Sequence, residues 1–244
     1  MKSIFLIALS SITLSVSAQE ISKDHITKKD KKDKMERYMP MMTRGIGVSL
    51  QKFSGLKDRL AGFPQYKSLR NHMFTISAGS MHVVKNFVSQ LTLSGGSSLS
   101  GDRDKQSSAL RYLGAGLDFG YDVIPADRVM VYPMVGIGAE TYHAIFYKDV
   151  SGIDFDDVAG SPTVQNSIRS VKFVNTFIAY RLGLGIAFKA PKGNGTIGVQ
   201  AHYIGGFKEK GWKSAENQSL NDAPSDDLHR VSISLVFSGG RMMR

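Results

Sequence analysis

The eleven residues Ile178-Ala-Tyr-Arg-Leu-Gly-Leu-Gly-Ile-Ala-Phe188 alternate without a break. Ile178, Tyr180, Leu182, Leu184, Ile186 and Phe188 fall on one face, and Ala179, Arg181, Gly183, Gly185 and Ala187 on the other. Strict period two over this length specifies a strand, since a helix brings residues three and four apart onto one face. Leu113–Val123 reads the same way, with Leu, Ala, Leu, Phe, Tyr and Val opposite Gly114, Gly116, Asp118, Gly120 and Asp122. Val129–Ala139 repeats it, with Met130, Tyr132, Met134, Gly136 and Gly138 on the second face. Shorter alternations begin near Ile46, Phe74, Phe87, Ile197 and Val231, making eight strands.

A soluble sheet places its bulky side chains inside. Here the face opposite the apolar one is mostly glycine, serine and single charges, which cannot form a hydrophobic core. The pattern is therefore inside-out. Apolar residues meet lipid, and small or charged residues fill a narrow interior, which eight strands leave just wide enough for side chains. A soluble lipocalin-like or sandwich fold is the alternative. Short turns are expected near 84–86, 125–127 and 191–194, built from Pro, Asn, Asp, Gly and Lys. Long polar connections are expected at 54–69, 101–108, 149–170 and 213–228. Strict alternation of short and long connections puts all long loops at one end and both termini at the other. The expected fold class is all-β: an eight-stranded antiparallel up-and-down transmembrane β-barrel with short periplasmic turns and long extracellular loops.

Met1–Ala18 has a basic start at Lys2, an apolar run and a small-residue site at Val16-Ser17-Ala18. This is the pattern of an export signal cleaved after Ala18. Residues 19–43 form a charged periplasmic extension, 44–238 the barrel and 239–244 a short tail. The 244 residues carry a formal net charge of +10 and no cysteine. Disulfide scaffolds, thiolate zinc sites and cysteine nucleophiles are excluded. The basic balance does not signal nucleic acid, because no basic helix or recognition motif accompanies it.

The chain resembles the small eight-stranded outer-membrane barrels of the OmpA/OmpX-like type and the PorT-like barrels of Bacteroidetes-type bacteria. The likeness rests on the pairs Gly114/Gly116, Gly136/Gly138 and Gly183/Gly185, on Tyr132-Pro133, and on Arg230-Val-Ser-Ile-Ser-Leu-Val-Phe237. In the last stretch Arg230, Ser232, Leu235 and Phe237 resemble a carboxy-terminal assembly signal. Ser232 stands where such signals commonly carry Gly, and Ser238–Arg244 follow the final Phe. The resemblance implies the outer membrane of a Gram-negative bacterium. It also implies contact with outer-membrane lipid and with the barrel assembly machinery.

The inward set comprises Asp118, Glu140, Arg181, His202 and Arg230. Counting from the turns sets Glu140 opposite Tyr112 and brings Arg181 within two residues of it. The expectation is a Glu140–Arg181 ion pair with Asp118 as a weaker third member, since an unpaired charge in a narrow interior costs several kcal/mol. Leu184 is expected to face lipid and Gly185 the lumen, so that serine should be mild at 185. Tyr121, Phe188, Tyr203 and Phe237 read as interfacial aromatics, with Phe207 and Trp212 as members of the outer girdle. No Ser–His–acid set faces outward and no three metal ligands converge. No catalysis, metal or cofactor is expected. The functional expectation is a structural or partner-binding barrel, its protein partner reached through the extracellular loops or the periplasmic tail. A small channel or a transport or secretion accessory is the alternative, with a membrane-embedded lipid-modifying enzyme behind it.

Overall fold

Eight long antiparallel strands close into a barrel in the computed structural model of the chain, which describes residues 41–102, 106–124, 126, 128–189 and 195–239. The export signal, nearly all of the charged extension and all of the final tail but Gly239 lie outside the described residues. The long strands are β1 (Met41–Gln51), β2 (His72–Val84), β3 (Phe87–Gly101), β4 (Ser107–Tyr121), β5 (Val129–Tyr147), β6 (Val171–Lys189), β7 (Gly195–Gly206) and β11 (His229–Gly239). Three two-residue strands lie in the last long loop: β8 (Lys210–Gly211), β9 (Lys213–Ser214) and β10 (Ser225–Asp226). Three short helices occupy loops: α1 (Ser54–Ala61), α2 (Phe155–Gly160) and α3 (Pro162–Ser167).

Each long strand pairs with its chain neighbour, and β1 pairs with β11 to close the wall. Stepping from partner to partner fixes the stagger. From Met41 the path runs through Met81, Gln90, Asp118, Gly136, Arg181, Ile204 and Arg230 and returns to β1 at Gln51, ten residues along the chain. A stagger of this size tilts the strands roughly 40° from the barrel axis. Among the described residues no helix is long and apolar enough to cross a membrane; the strands make the crossing.

The predicted faces are the observed ones. Phe74 is 75% exposed and Leu113 69%, while Asp118 on the same strand as Leu113 is 1% exposed. A band of large apolar side chains this exposed all around the wall is a lipid surface. Phe87, Phe119, Tyr121, Phe188 and Phe237 are exposed near the short-turn end, and Tyr180, Tyr203 and Phe207 cluster toward the long-loop end. Trp212 departs from expectation. It is fully buried, because the last long loop folds back over the barrel mouth and carries it inward. The predicted long connection at 101–108 is also shorter than expected: β3 and β4 run on as a ladder to Gly101 and Ser107.

The glycines on the inner face make room for large side chains from neighbouring strands. A Cβ at Gly185 would overlap the ring of Tyr132. This runs against the expectation that serine is mild at 185. Leu184→Arg should destabilise the barrel by about 2–4 kcal/mol, the midplane cost of a cation on the lipid face. Gly185→Ser should also destabilise, by displacing Tyr132. Urea titrations of refolding into lipid vesicles check both, and a neutral Gly185→Ser would mean that Tyr132 has another place to go.

Candidate functional site

The lumen is built in three layers. At the short-turn end Met81, Val88, Met130, Tyr132, Met134 and Ala187 form a buried apolar cluster. At the long-loop end a larger cluster includes Met73, Leu110, Tyr112, Tyr142, Phe146 and Phe177 from the strands, with Phe53, Leu56, Trp212 and Leu228 from the loops. Between them lies a polar band. The sequence places Met130, Tyr132 and Met134 on the inner face, but the expected filling by small and charged groups does not foresee two apolar clusters, to which Met73, Met81, Tyr142, Phe146 and Phe177 also contribute.

Arg181 pairs with Asp118. Its Nε–H donates to Oδ1 at 2.8 Å and Nη2–H to Oδ2 at 3.0 Å, the bidentate geometry that suits guanidinium and carboxylate. Asp118 and Arg181 stand on either side of Gly136 in one register row. Glycine at the centre lets the two side chains meet above it. Gly116 is equally required, since a Cβ there would lie 2.7 Å from the guanidinium carbon of Arg181. His202 Nε2 lies 4.0 Å from Asp118 Oδ2.

Glu140 pairs instead with Arg230 of β11, across the lumen. Tyr142 Oη–H donates to Glu140 Oε2 at 2.7 Å. The Arg230 guanidinium also lies 4.3 Å from the centroid of the Tyr112 ring, a cation–π contact. The expected Glu140–Arg181 pair is therefore corrected. Glu140 stands opposite Phe177 and Gly114, while Arg181 stands opposite Gly136. Four residues of strand separate their positions, about 13 Å at strand rise. Tyr112 faces Tyr142, not Glu140. Of the expected assembly residues, Arg230 and Ser232 point inward and are buried, whereas Leu235 and Phe237 face outward.

Below the ion pairs, Gln90 and Gln200 exchange amide hydrogen bonds at 3.3 and 2.9 Å, and Gln200 Nε2–H donates to Tyr132 Oη at 3.0 Å. A cavity of about 30 Å³ sits against Arg181, Arg230, His202, Gln200 and the hydroxyls of Thr75, Ser77 and Ser232. That is space for roughly two waters. Among the described residues no group of three or more His, Asp or Glu side chains could hold a metal ion.

The cap is held by Asp226, which the sequence reading missed. Helix α1 leaves its first amides without helical partners, and Phe53 at its N-cap offers no side-chain acceptor. The Asp226 carboxylate accepts from Gly55 N–H at 2.7 Å, Leu56 N–H at 2.9 Å and Trp212 Nε1–H at 2.8 Å. Pairing of β10 with β8 presents it there. No periodic pattern marks an acid in a polar loop, so no local signal could have found it.

A closed wall with an apolar exterior, glycines under its interior side chains and a charge-balanced lumen defines a transmembrane β-barrel of the outer-membrane type. Among solved structures the chain is similar to Ail, the attachment invasion locus protein of Yersinia pestis, with 14% identity and a TM-score of 0.42, covering 81% of this chain and 97% of that one. It is similar to Neisserial surface protein A at 12% identity and a TM-score of 0.44, covering 82% and 96%. The N-terminal β-barrel domain of Pseudomonas aeruginosa OprF gives 12% identity and a TM-score of 0.30, covering 81% and 99%. No family model matches the chain, and no curated protein does.

In double-mutant cycles Asp118/Arg181 and Glu140/Arg230 should each couple by about 0.5–3 kcal/mol, while Glu140/Arg181 should be close to additive. Single removal of either arginine should cost about 3–5 kcal/mol by stranding a buried carboxylate. Strong coupling between Glu140 and Arg181 in refolding titrations would contradict the pairing. Asp226→Ala should loosen the cap by about 1–3 kcal/mol, the cost of unsatisfied buried donors. Amide exchange should quicken at Gly55 and Leu56, and emission from the single tryptophan should shift red. The amides of β3–β6 should stay protected.

Proposed function

We propose that this protein is a non-conducting, non-catalytic barrel of the Gram-negative outer membrane. In this reading it supports the envelope and binds a protein partner through its long loops. The carrying observation is the sealed lumen: apolar clusters stand above and below a polar band whose charges are paired. An ion entering would have to displace Trp212 and Phe53 at one end and Met81 and Met130 at the other.

Partner binding is supported by the loops. Phe155 in α2 is 82% exposed, and Phe63, Val150, Ile153 and Leu220 are exposed on the same end of the molecule. These side chains lie beyond the lipid-facing belt, on segments held over a rigid wall, and an apolar loop surface of this kind suits a protein surface. Export with cleavage after Ala18, insertion by the barrel assembly machinery and a role for residues 19–43 belong to the same reading.

The alternative, a small channel or transport accessory, draws on the polar cavity beside Arg181 and Arg230. Planar-bilayer recording separates the two. The purified protein should give no unitary steps at moderate voltage. A variant with Met81, Met130 and Met134 all changed to Ala should begin to leak if the lower cluster is the seal. Regular conductance steps from the unmodified protein would overturn the proposal.

A further inference from the structure

Arg111 on β4 stands directly opposite His143 on β5, and His143 stands opposite Val174 on β6. Lys172 lies one pleat beyond Val174, and Lys213 on β9 continues the row on the far side of Val174. Arg111, His143 and Lys172 sit at outward positions and are exposed. None of the ion pairs among the described residues includes them. Arg111 and Lys172 stand on the strands either side of β5, and two like charges held near one another on one surface repel, so an anion between them is favoured. The imidazole of His229 on the opposite side of the barrel differs, because Tyr203 and Asp227 already hold it.

The cluster has a graded surround. On the bilayer side of His143 and Lys172 come Thr141 and Thr176, whose exposed hydroxyls lie 3.0 Å apart. Leu113, 69% exposed, stands in the same register row as the two threonines, and Ile137 and Ile178 follow at 60% and 55% exposure. Cations, then hydroxyls, then an apolar wall repeat the order of a lipid from phosphate through glycerol to acyl chain. The surface is continuous with the lipid-facing belt, and long basic side chains at its edge reach toward headgroups.

We infer that Arg111, His143 and Lys172 form a binding site for the phosphate headgroup of an anionic lipid in the leaflet at the long-loop end. The guanidinium and ammonium take the phosphate oxygens, Thr141 and Thr176 face the glycerol, and the acyl chains lie against Leu113 and Ile178. The bound lipid would hold β4, β5 and β6 together where they rise past the membrane.

Native mass spectrometry of the full chain in zwitterionic detergent, titrated with phosphatidylglycerol or phosphatidylcholine, tests this. The R111Q/K172Q variant should bind phosphatidylglycerol about thirtyfold more weakly, the loss expected for two basic groups at a membrane surface. Phosphatidylcholine binding should not change, and K85Q/K189Q at the opposite rim should behave as the unmodified protein. Equal loss in both variants, or none in R111Q/K172Q, would overturn the site. Full competition by inorganic phosphate would show a soluble anion site instead. Should R111Q/K172Q not fold, phosphatidylglycerol carrying a photoreactive group near its headgroup can be applied to the unmodified protein. Crosslinks confined to the upper β4–β6 wall support the inference, and crosslinks spread evenly around the barrel refute it.

Discussion

In hydrocarbon every backbone N–H and C=O must find a partner within the chain, so each strand needs a neighbour on both edges. The pairing of β1 with β11 meets that demand, and the other features follow from it. Closure with eight strands and the observed stagger fixes the lumen radius. A fixed radius decides which side chains fit, and that in turn requires glycine where arginine, tyrosine or a carboxylate must cross. The runs of Gly-x-Gly are the imprint of closure on the sequence, since Gly136 and Gly185 each lie beneath a larger residue from the next strand and Gly116 beneath Arg181 from two strands away.

The interior shows how charge is accommodated in so narrow a space. Two arginines and two carboxylates cancel, and each has a different supporting shell. Asp118 and Arg181 meet edge-on over a glycine. Arg230 instead uses Glu140 on one side and the Tyr112 ring on the other, with Tyr142 donating to the same carboxylate. Replacing such a pair with apolar groups of equal volume can be neutral, whereas leaving one member alone is not. The polar band therefore specifies one packing of the lumen more than it adds raw stability.

Period two made the wall legible. Ile178–Phe188 and Leu113–Val123 declared which residues meet lipid, and the positions of Asp118, Glu140 and Arg181 on the inner face came from the same alternation. Their partners did not. Partner choice depends on register between strands, and an error of two residues in counting from the turn at 125–127 moves a side chain one full pleat along the barrel. Glu140 meets Arg230 from a strand ninety residues away, and no local pattern encodes that distance. The cap was illegible for a related reason. Asp226 and Trp212 act through a loop that folds back on itself, where neither helical nor strand periodicity operates.

The placement of Arg230 on the final strand has a kinetic meaning. A barrel whose first and last strands pair has its longest-range contacts at the seam, and those form against the largest loop-closure entropy. Until β11 arrives, Glu140 faces the lumen with a tyrosine hydroxyl and no cation. Docking of β11 supplies the backbone ladder to β1 and the counter-charge to Glu140 in one event. Zipping the seam and neutralising the interior are thus a single cooperative step. A chain stalled before it keeps an open edge and an unbalanced carboxylate, so partial closure gains little and the barrel tends to finish or fall open.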